Sequence, residues 1–235
     1  MARAEILTCA GLSKQFGRTT ALRSVSFALR AGEFLTVFGH NGAGKSTLLN
    51  ILASLVRSYQ GSLTLFGNDE TDEQKRRSIG YVSHESFLYG DLTARENLVF
   101  YAKLYGLGDP GAAADEMLAM VGLAEKKNAL ARELSRGMKQ RLSLARAFMH
   151  HPRLLLLDEP YTGLDENACR MLGDMLSGFT RTGGTILMAT HDVDRGFEAS
   201  DRVLVLDRGR VAYEAWTSDV GLETFRARYR EILTR

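Results

Sequence analysis

Between residues 39 and 47 the chain reads GHNGAGKST, three glycines leading into a lysine and two hydroxyls. Gly39, Gly42 and Gly44 let the backbone fold tightly and turn its N–H groups inward around an anion. His40, Asn41 and Ala43 fill the positions between them. Lys45 adds a point charge that reaches outer phosphates, Ser46 presents a hydroxyl that can ligate Mg²⁺, and Thr47 follows it. The spacing matches G-x-x-x-x-G-K-[ST], and it lies between a strand-like run, EFLTVFG, and a run with helical periodicity, as its mechanism requires. A glycine-rich turn that only capped a helix would not need Lys then Ser here, so a nucleoside triphosphate is the expected ligand.

Phosphoryl chemistry also needs a metal-holding carboxylate at the end of a neighbouring strand. LLLLDEP supplies Asp158 directly after four apolar residues, and Glu159 follows. Asp158 is expected to hold Mg²⁺ through water, with Glu159 turned toward the attacking water as general base. A solvated strand end is the competing reading of the same pair, and the phosphate loop disfavours it.

These residues need elements to position them. EILTCAGL, SVSFALR, SLTLFG and SIGYVS read as strands, as do RLLLLDEP, GTILMATH, DRVLVLDRG and RVAYE. Strands apolar on both sides, such as Leu154 to Leu157, belong in the buried middle of a parallel sheet. From about Leu92 to His150 the pattern is helical throughout: TARENLVFYAKLYGL, GAAADEMLAMVGL and GMKQRLSLARAFMHH. The expectation is one α/β domain over 1–235 carrying an all-helical insert. Residues 1–83 and 151–213 form its nucleotide-binding core, 84–150 the insert, and 214–235 a last helix. In that helix Leu222, Phe225, Tyr229 and Leu233 define an apolar face that docks on its own domain.

Composition sets outer limits. The 235 residues are 45% hydrophobic and 25% charged with only 3 prolines, which excludes long disordered tracts. A net charge of +2 is too balanced to argue for nucleic acid or an anionic membrane surface. Cys9 and Cys169 have no metal-ligand spacing and read as inert thiols in a reducing cytoplasm. The N-terminus lacks a signal-peptide core, and LLLL at 154–157 is far short of a membrane span. Work at a membrane would therefore require another subunit.

Five stretches in order resemble the motifs of ATP-binding cassette (ABC) ATPases: GHNGAGKST the Walker A loop, LSRGM at 134–138 the signature, LLLLDEP the Walker B strand, GLD ending at Asp165 the D-loop, and ATHD the switch histidine at His191. The resemblance runs from LSKQFG to LDRGRVAYE, nearly the whole chain. It implies a P-loop NTPase of the ABC ATPase type, a RecA-like core with an N-terminal antiparallel β-subdomain and an all-helical insert. It implies ATP and Mg²⁺ as cofactors, Phe16 as the aromatic under adenine, and His191 on the γ-phosphate, orienting Glu159. A strand-end core position is the bland reading of Phe16. The resemblance further implies that two such subunits, expected as a homodimer, meet head to tail, so that Ser135, Arg136, Gly137 and Met138 of one close over the nucleotide of the other. Separate transmembrane permease subunits would hold the chain on the cytoplasmic face of the membrane, with transport driven by hydrolysis.

Two positions depart from the family pattern. YVSHES places His84 where a Gln usually touches Mg²⁺ and water, and Mg²⁺ prefers oxygen, so His84 is a poor metal ligand. LSRGM replaces Leu-Ser-Gly-Gly-Gln, so Arg136 either contacts phosphate or faces solvent. YVSHESFLYGDLTARENL also resembles the ATPase subunits of cytochrome c maturation, the haem-exporter group. In the family this region meets the permease, and Phe87, Tyr89, Phe100, Tyr101 and Tyr105 either line such a groove or pack the insert. The alternatives are a soluble ABC ATPase acting on DNA or ribosomes, disfavoured by the absence of tandem cassettes and basic patches, and an ATP-dependent assembly module with weak turnover, disfavoured by Glu159.

Overall fold

In the computed structural model, residues 4–67, 72–83 and 85–234 are described. Two sheets form. The first is antiparallel, with β1 (Glu5–Phe16) between β2 (Thr19–Arg30) and β4 (Gln60–Leu65). The second has six strands in the order β5 (Ile79–Val82), β6 (Leu154–Asp158), β7 (Thr185–Thr190), β3 (Phe34–Phe38), β8 (Arg202–Asp207) and β9 (Arg210–Trp216). Its first five strands are parallel and β9 closes the edge antiparallel to β8. Every residue of β3, β6 and β7 is buried, which explains their unbroken apolar runs: a parallel strand covered on both faces has no solvent side to make polar.

Register decides where the chemistry goes. Val37 and Asp158 both pair with Ala189, and Phe38 pairs with Thr190. The next residue on each strand, Gly39, Glu159 and His191, therefore leaves the same edge of the sheet, at the carboxyl ends where open α/β folds bind ligands. The antiparallel sheet stands behind this edge, and Leu7, Leu12, Leu22 and Leu29 share one core with Leu48, Leu49 and Leu52 of α1 (Lys45–Leu52) and with β3 and β6.

Three longer helices, α3 (Ala94–Tyr105), α4 (Pro110–Met120) and α5 (Arg136–Phe148), pack around their own core of Leu98, Met117, Leu118, Leu142 and Ala145. A short helix, α2 (Asp72–Arg77), precedes β5. Buried Asn97 ties the turn before α3 by accepting from Tyr89 N–H at 2.8 Å and donating to the carbonyls of Tyr89 and Thr93. α6 (Glu166–Arg181) and α7 (Val193–Ala199) follow β6 and β7. The last helix, α8 (Leu222–Leu233), buries Phe225, Tyr229 and Ile232. The expected face is thus right at Phe225 and Tyr229 but rotated at its far end, where Ile232 is buried and Leu233 exposed. Among the described residues no helix is long and apolar enough to cross a membrane.

Candidate functional site

Helices α3, α4, α5, α6 and α7 each begin on a side-chain cap, from Thr93, Asp109, Ser135, Asp165 and Asp192 respectively. Helix α1 does not: its N-cap is Gly44, with φ 108° and no side chain to offer. The positive end of α1 and its first N–H groups are left to an external anion. Loop 39–47 wraps that end, and its close approaches are steric requirements. A Cβ on Gly39 would lie 2.4 Å from the Leu206 carbonyl oxygen, and one on Gly44 would lie 2.5 Å from that of Ala21. Gly44→Ala should therefore destabilise the chain by about 2–4 kcal/mol, through left-handed backbone strain and overlap with main chain that cannot swing away. Chemical denaturation checks this, and an unchanged midpoint would show that the loop relaxes freely.

Lys45 is 6% exposed and lies within the loop. Its Nζ donates to the Gly39 carbonyl at 2.7 Å and the His40 carbonyl at 3.3 Å, and sits 3.6 Å from Glu159 Oε1. The other Glu159 oxygen, Oε2, accepts from Thr190 Oγ1 at 3.0 Å and His191 N–H at 3.4 Å, and lies 2.9 Å from His191 Nδ1. Glu159 is thereby held between a cation on one side and an imidazole on the other. Its own φ is 50°, a left-handed conformation that costs a residue with a Cβ roughly 1–3 kcal/mol. That strain turns the carboxylate back over the strand end, where its backbone N–H donates to Ala189 O at 2.8 Å.

Thr19, Thr20 and Ala21 face the loop across a cleft of about 410 Å³, whose lining includes His40, Asn41, Gly42, Lys45, Ser46, Thr47, Asp158 and Glu159. Ser46 and Asp158 thus share one cleft, and a hydroxyl with a carboxylate is an all-oxygen donor set suited to Mg²⁺. Asp158 is buried, and with the desolvation of the phenol it helps hold the Tyr81 hydroxyl well above the ordinary tyrosine range. Exposed His40 lies 3.3 Å from Asp207 through Nε2. Phe16 stands beside the cleft at the β1–β2 turn, opposite Thr19, half exposed with the Lys14 ammonium 4.7 Å from its ring centroid. His84 lies outside the described residues.

The residues 135–138 and Asp165 do not reach this cleft in the single chain. Ser135 Oγ accepts from Met138 N–H at 3.2 Å, and Asp165 accepts from Ala168 N–H at 2.8 Å, so both act as helix caps. Gly137 approaches the second motif closely, its Cβ position being 2.9 Å from the Gly163 carbonyl oxygen. Arg136 runs its side chain over Gly163, where an added Cβ would meet Arg136 Nε at 3.1 Å and Cδ at 3.2 Å. Met138 packs against the helical core. Arg136 also borders a second cleft of about 350 Å³, with Ser83, Ser86, Lys139, Gln140 and Thr162, whose other wall is again Asp158 and Glu159. Thr19, Thr20 and Thr190 are site residues that motif reading passes over. The Thr-Thr pair just after the Phe16 turn and the hydroxyl just before His191 were their only sequence signals.

Comparison with known proteins bears on this geometry. A family profile described as ABC transporter matches residues 22–162. The chain is 35% identical over 211 residues to a linearmycin resistance ATP-binding protein of Bacillus subtilis, covering 88% of this chain and 68% of that one. It is 36% identical over 205 residues to a Nod factor export ATP-binding protein of Rhizobium johnstonii, covering 86% of this chain and 66% of the other. The chain thus spans about two thirds of the length of these curated relatives. Among solved structures, an ATP-binding subunit of an ABC transporter matches with a TM-score of 0.87 at 28% identity, covering 97% of this chain and 99% of the other. A dimeric ATP-binding cassette in a post-hydrolysis state, bound to ADP and Pi, matches with a TM-score of 0.82 at 28% identity over 90% of this chain and 98% of the other.

Proposed function

The chain belongs to the ABC transporter ATP-binding family, and from that premise we propose that it binds and hydrolyses ATP as the subunit that powers a membrane transporter. The observation that carries this reading is Glu159, fixed between Lys45 and His191 at the mouth of the cleft that contains the phosphate loop. The N–H groups at the start of α1 and the Lys45 ammonium bind the phosphates. Once a γ-phosphate draws Lys45 toward it, Glu159 Oε1 is released to accept a proton from the attacking water, while Thr190 and His191 hold Oε2 in place. His191, its side chain mostly exposed, is then free to meet the γ-phosphate. Mg²⁺ bound by Ser46 and Asp158 would neutralise charge on the phosphates. Phe16 would take the adenine face in place of Lys14.

The active assembly is a head-to-tail homodimer. Ser135, Arg136, Gly137 and Met138, with Asp165, lie outside the chain's own cleft and would close over a partner's ATP. Ser135 would then serve as both helix cap and phosphate ligand. Permease subunits on separate chains would hold the protein at the cytoplasmic face of the membrane. Support for a docking surface comes from exposed Phe87, Tyr89 and Phe100, with Tyr89 and Phe100 in edge contact at 5.0 Å, whereas Tyr101 and Tyr105 pack inward. The finer assignment to a haem-exporter-like system rests on the YVSHESFLYGDLTARENL stretch. The relatives' names include Nod factor export but also methionine import and sulfate/thiosulfate import at similar identities, and favour neither direction.

The test is to co-express the chain with membrane proteins encoded beside it. A co-purifying membrane complex whose Mg²⁺-dependent ATP turnover responds to cargo supports the reading. Turnover by a chain that never binds a membrane subunit would sink the transport half of it.

A further inference from the structure

Arg195 takes no part in lining the nucleotide cleft, yet its side chain joins the two turns that carry the reacting groups. The first turn follows β6. Glu159 leads it, Thr162 N–H donates to the Glu159 carbonyl at 3.1 Å, Leu164 N–H donates to that of Tyr161 at 3.2 Å, and Asp165 ends it as the cap of α6. The second turn follows β7 and runs through His191 to Asp192, the cap of α7. Arg195 reaches both. Its Nη2 donates at 3.0 Å to Oε2 of Glu166, the first residue of α6, and its guanidinium carbon lies 5.7 Å from the centroid of the Tyr161 ring. Its Nη1 lies 3.6 Å from Asp192 Oδ2, and its backbone N–H donates to Asp192 Oδ1 at 3.2 Å. From Asp192 the connection runs on to the base: Asp192 N–H donates to Thr190 Oγ1 at 3.1 Å, and that hydroxyl donates to Glu159 Oε2 at 3.0 Å.

We propose that Arg195 is a positioning residue for ATP hydrolysis, clamping the turn after β6 to the turn after β7 so that Glu159 and His191 keep their relative placement. This rests on the ATPase reading above. A planar guanidinium can serve two carboxylates and a ring face at once, which suits it to joining elements that approach from different sides. The clamp is not a source of stability. The side chains of Arg195, Glu166 and Asp192 are 40%, 69% and 35% exposed, and ion pairs so open to water add little to folding. Its consequence is geometric, because each turn starts beside a group that acts on the γ-phosphate or the attacking water. The phosphate-binding N–H groups at the start of α1 lie outside the clamp, so its loss should change the chemical step more than nucleotide affinity.

The experiment compares steady-state phosphate release by the whole chain as wild type, Arg195→Gln, Glu166→Gln, the double variant of these two, and Arg226→Gln, with thermal melts of all five. Arg226→Gln is a matched control: Arg226 Nε donates at 2.9 Å to Asp194 of the same short helix, and its other ion pair is with Glu223 of α8 rather than with α6. Arg195→Gln is expected to melt close to wild type and to lose about tenfold in kcat, the scale of a small misplacement of reacting groups, with KM for ATP changed less than about twofold. Glu166→Gln leaves the Asp192 and Tyr161 contacts in place and should lose about threefold. Its side chain is mostly exposed, so it keeps the test valid even if Arg195→Gln melts low. The double variant should be no slower than Arg195→Gln alone, the non-additivity of residues that act as a pair. Equal kcat for Arg195→Gln and wild type overturns the proposal. So do single losses that multiply in the double variant, or a loss in Arg226→Gln that matches Arg195→Gln, since a general loosening of α7 would then account for the effect. A wild type that hydrolyses no ATP overturns the functional reading and this proposal together, so the two failures are distinct.

Discussion

Glu159→Gln should lower ATP turnover by about 10²- to 10⁴-fold, the usual worth of a general base, while nucleotide affinity stays close to that of the wild type. The amide matches the carboxylate in shape, so an oxygen can still accept from Thr190 Oγ1 and His191 N–H, and the strained backbone at φ 50° is untouched. What disappears is the basic lone pair, together with the 3.6 Å attraction to Lys45. Losing that attraction frees the ammonium for phosphate, which favours ATP binding. Because ATP is retained but not cleaved, the dimer that closes on it should accumulate, and size-exclusion chromatography with Mg²⁺ and ATP should show a lasting dimer. Phosphate release and nucleotide titration supply the other two readings. Unchanged turnover in this variant would remove Glu159 from the role of base and leave the mechanism without one.

The site's position in the fold was open to sequence reading because its determinants are local. Lys45, Ser46 and their glycines stand in one nine-residue stretch, and Leu154–Leu157 announce a buried strand whose end must carry Asp158. What could not be read depends on groups distant in sequence. In α8, Ile232 and Leu233 stand seven and eight positions after Phe225, and both spacings return to the same face of a helix. Docking against Phe38 and Val205 chooses Ile232, and no periodicity carries that information. The ring contact from Tyr229 to Phe38, at 6.0 Å between centroids, joins residues far apart in the chain and leaves no motif. Arg136 shows the same limit: of its two anticipated surroundings, phosphate and solvent, it is exposed in the single chain, but that its stem lies along Gly163 is set by how α5 meets the turn before α6. The five aromatics around 87–105 are gathered by tertiary packing, with Phe87 and Tyr89 from the turn before α3 brought onto Phe100 and Tyr101 of the helix, and Tyr89, Phe100 and Tyr101 in mutual ring contact.

Lys45→Ala should abolish useful ATP binding, by an amount set by the bonds it loses. A hydrogen bond to a charged group contributes about 1.5–3 kcal/mol. Two such bonds to phosphate oxygens correspond to roughly two to four orders of magnitude in Kd. The effect on the unliganded protein is smaller and has a different cause. Lys45 is buried, and its removal leaves the Gly39 and His40 carbonyls without their donor and Glu159 without its nearest cation. The cleft opens to solvent, so water can replace much of this, and a loss of about 1–2 kcal/mol is expected. The two effects separate in one measurement. Wild type should gain about 2.7 kcal/mol of stability at a ligand concentration one hundred times its Kd. At that same concentration Lys45→Ala should begin from a slightly lower melting temperature and gain almost nothing. Lys45→Met keeps the apolar stem inside the loop, so it should recover part of the starting stability and none of the ATP-induced rise. If Met restored the rise, phosphate binding would belong to the α1 terminus alone, and the ammonium would serve only to hold the loop and Glu159 together.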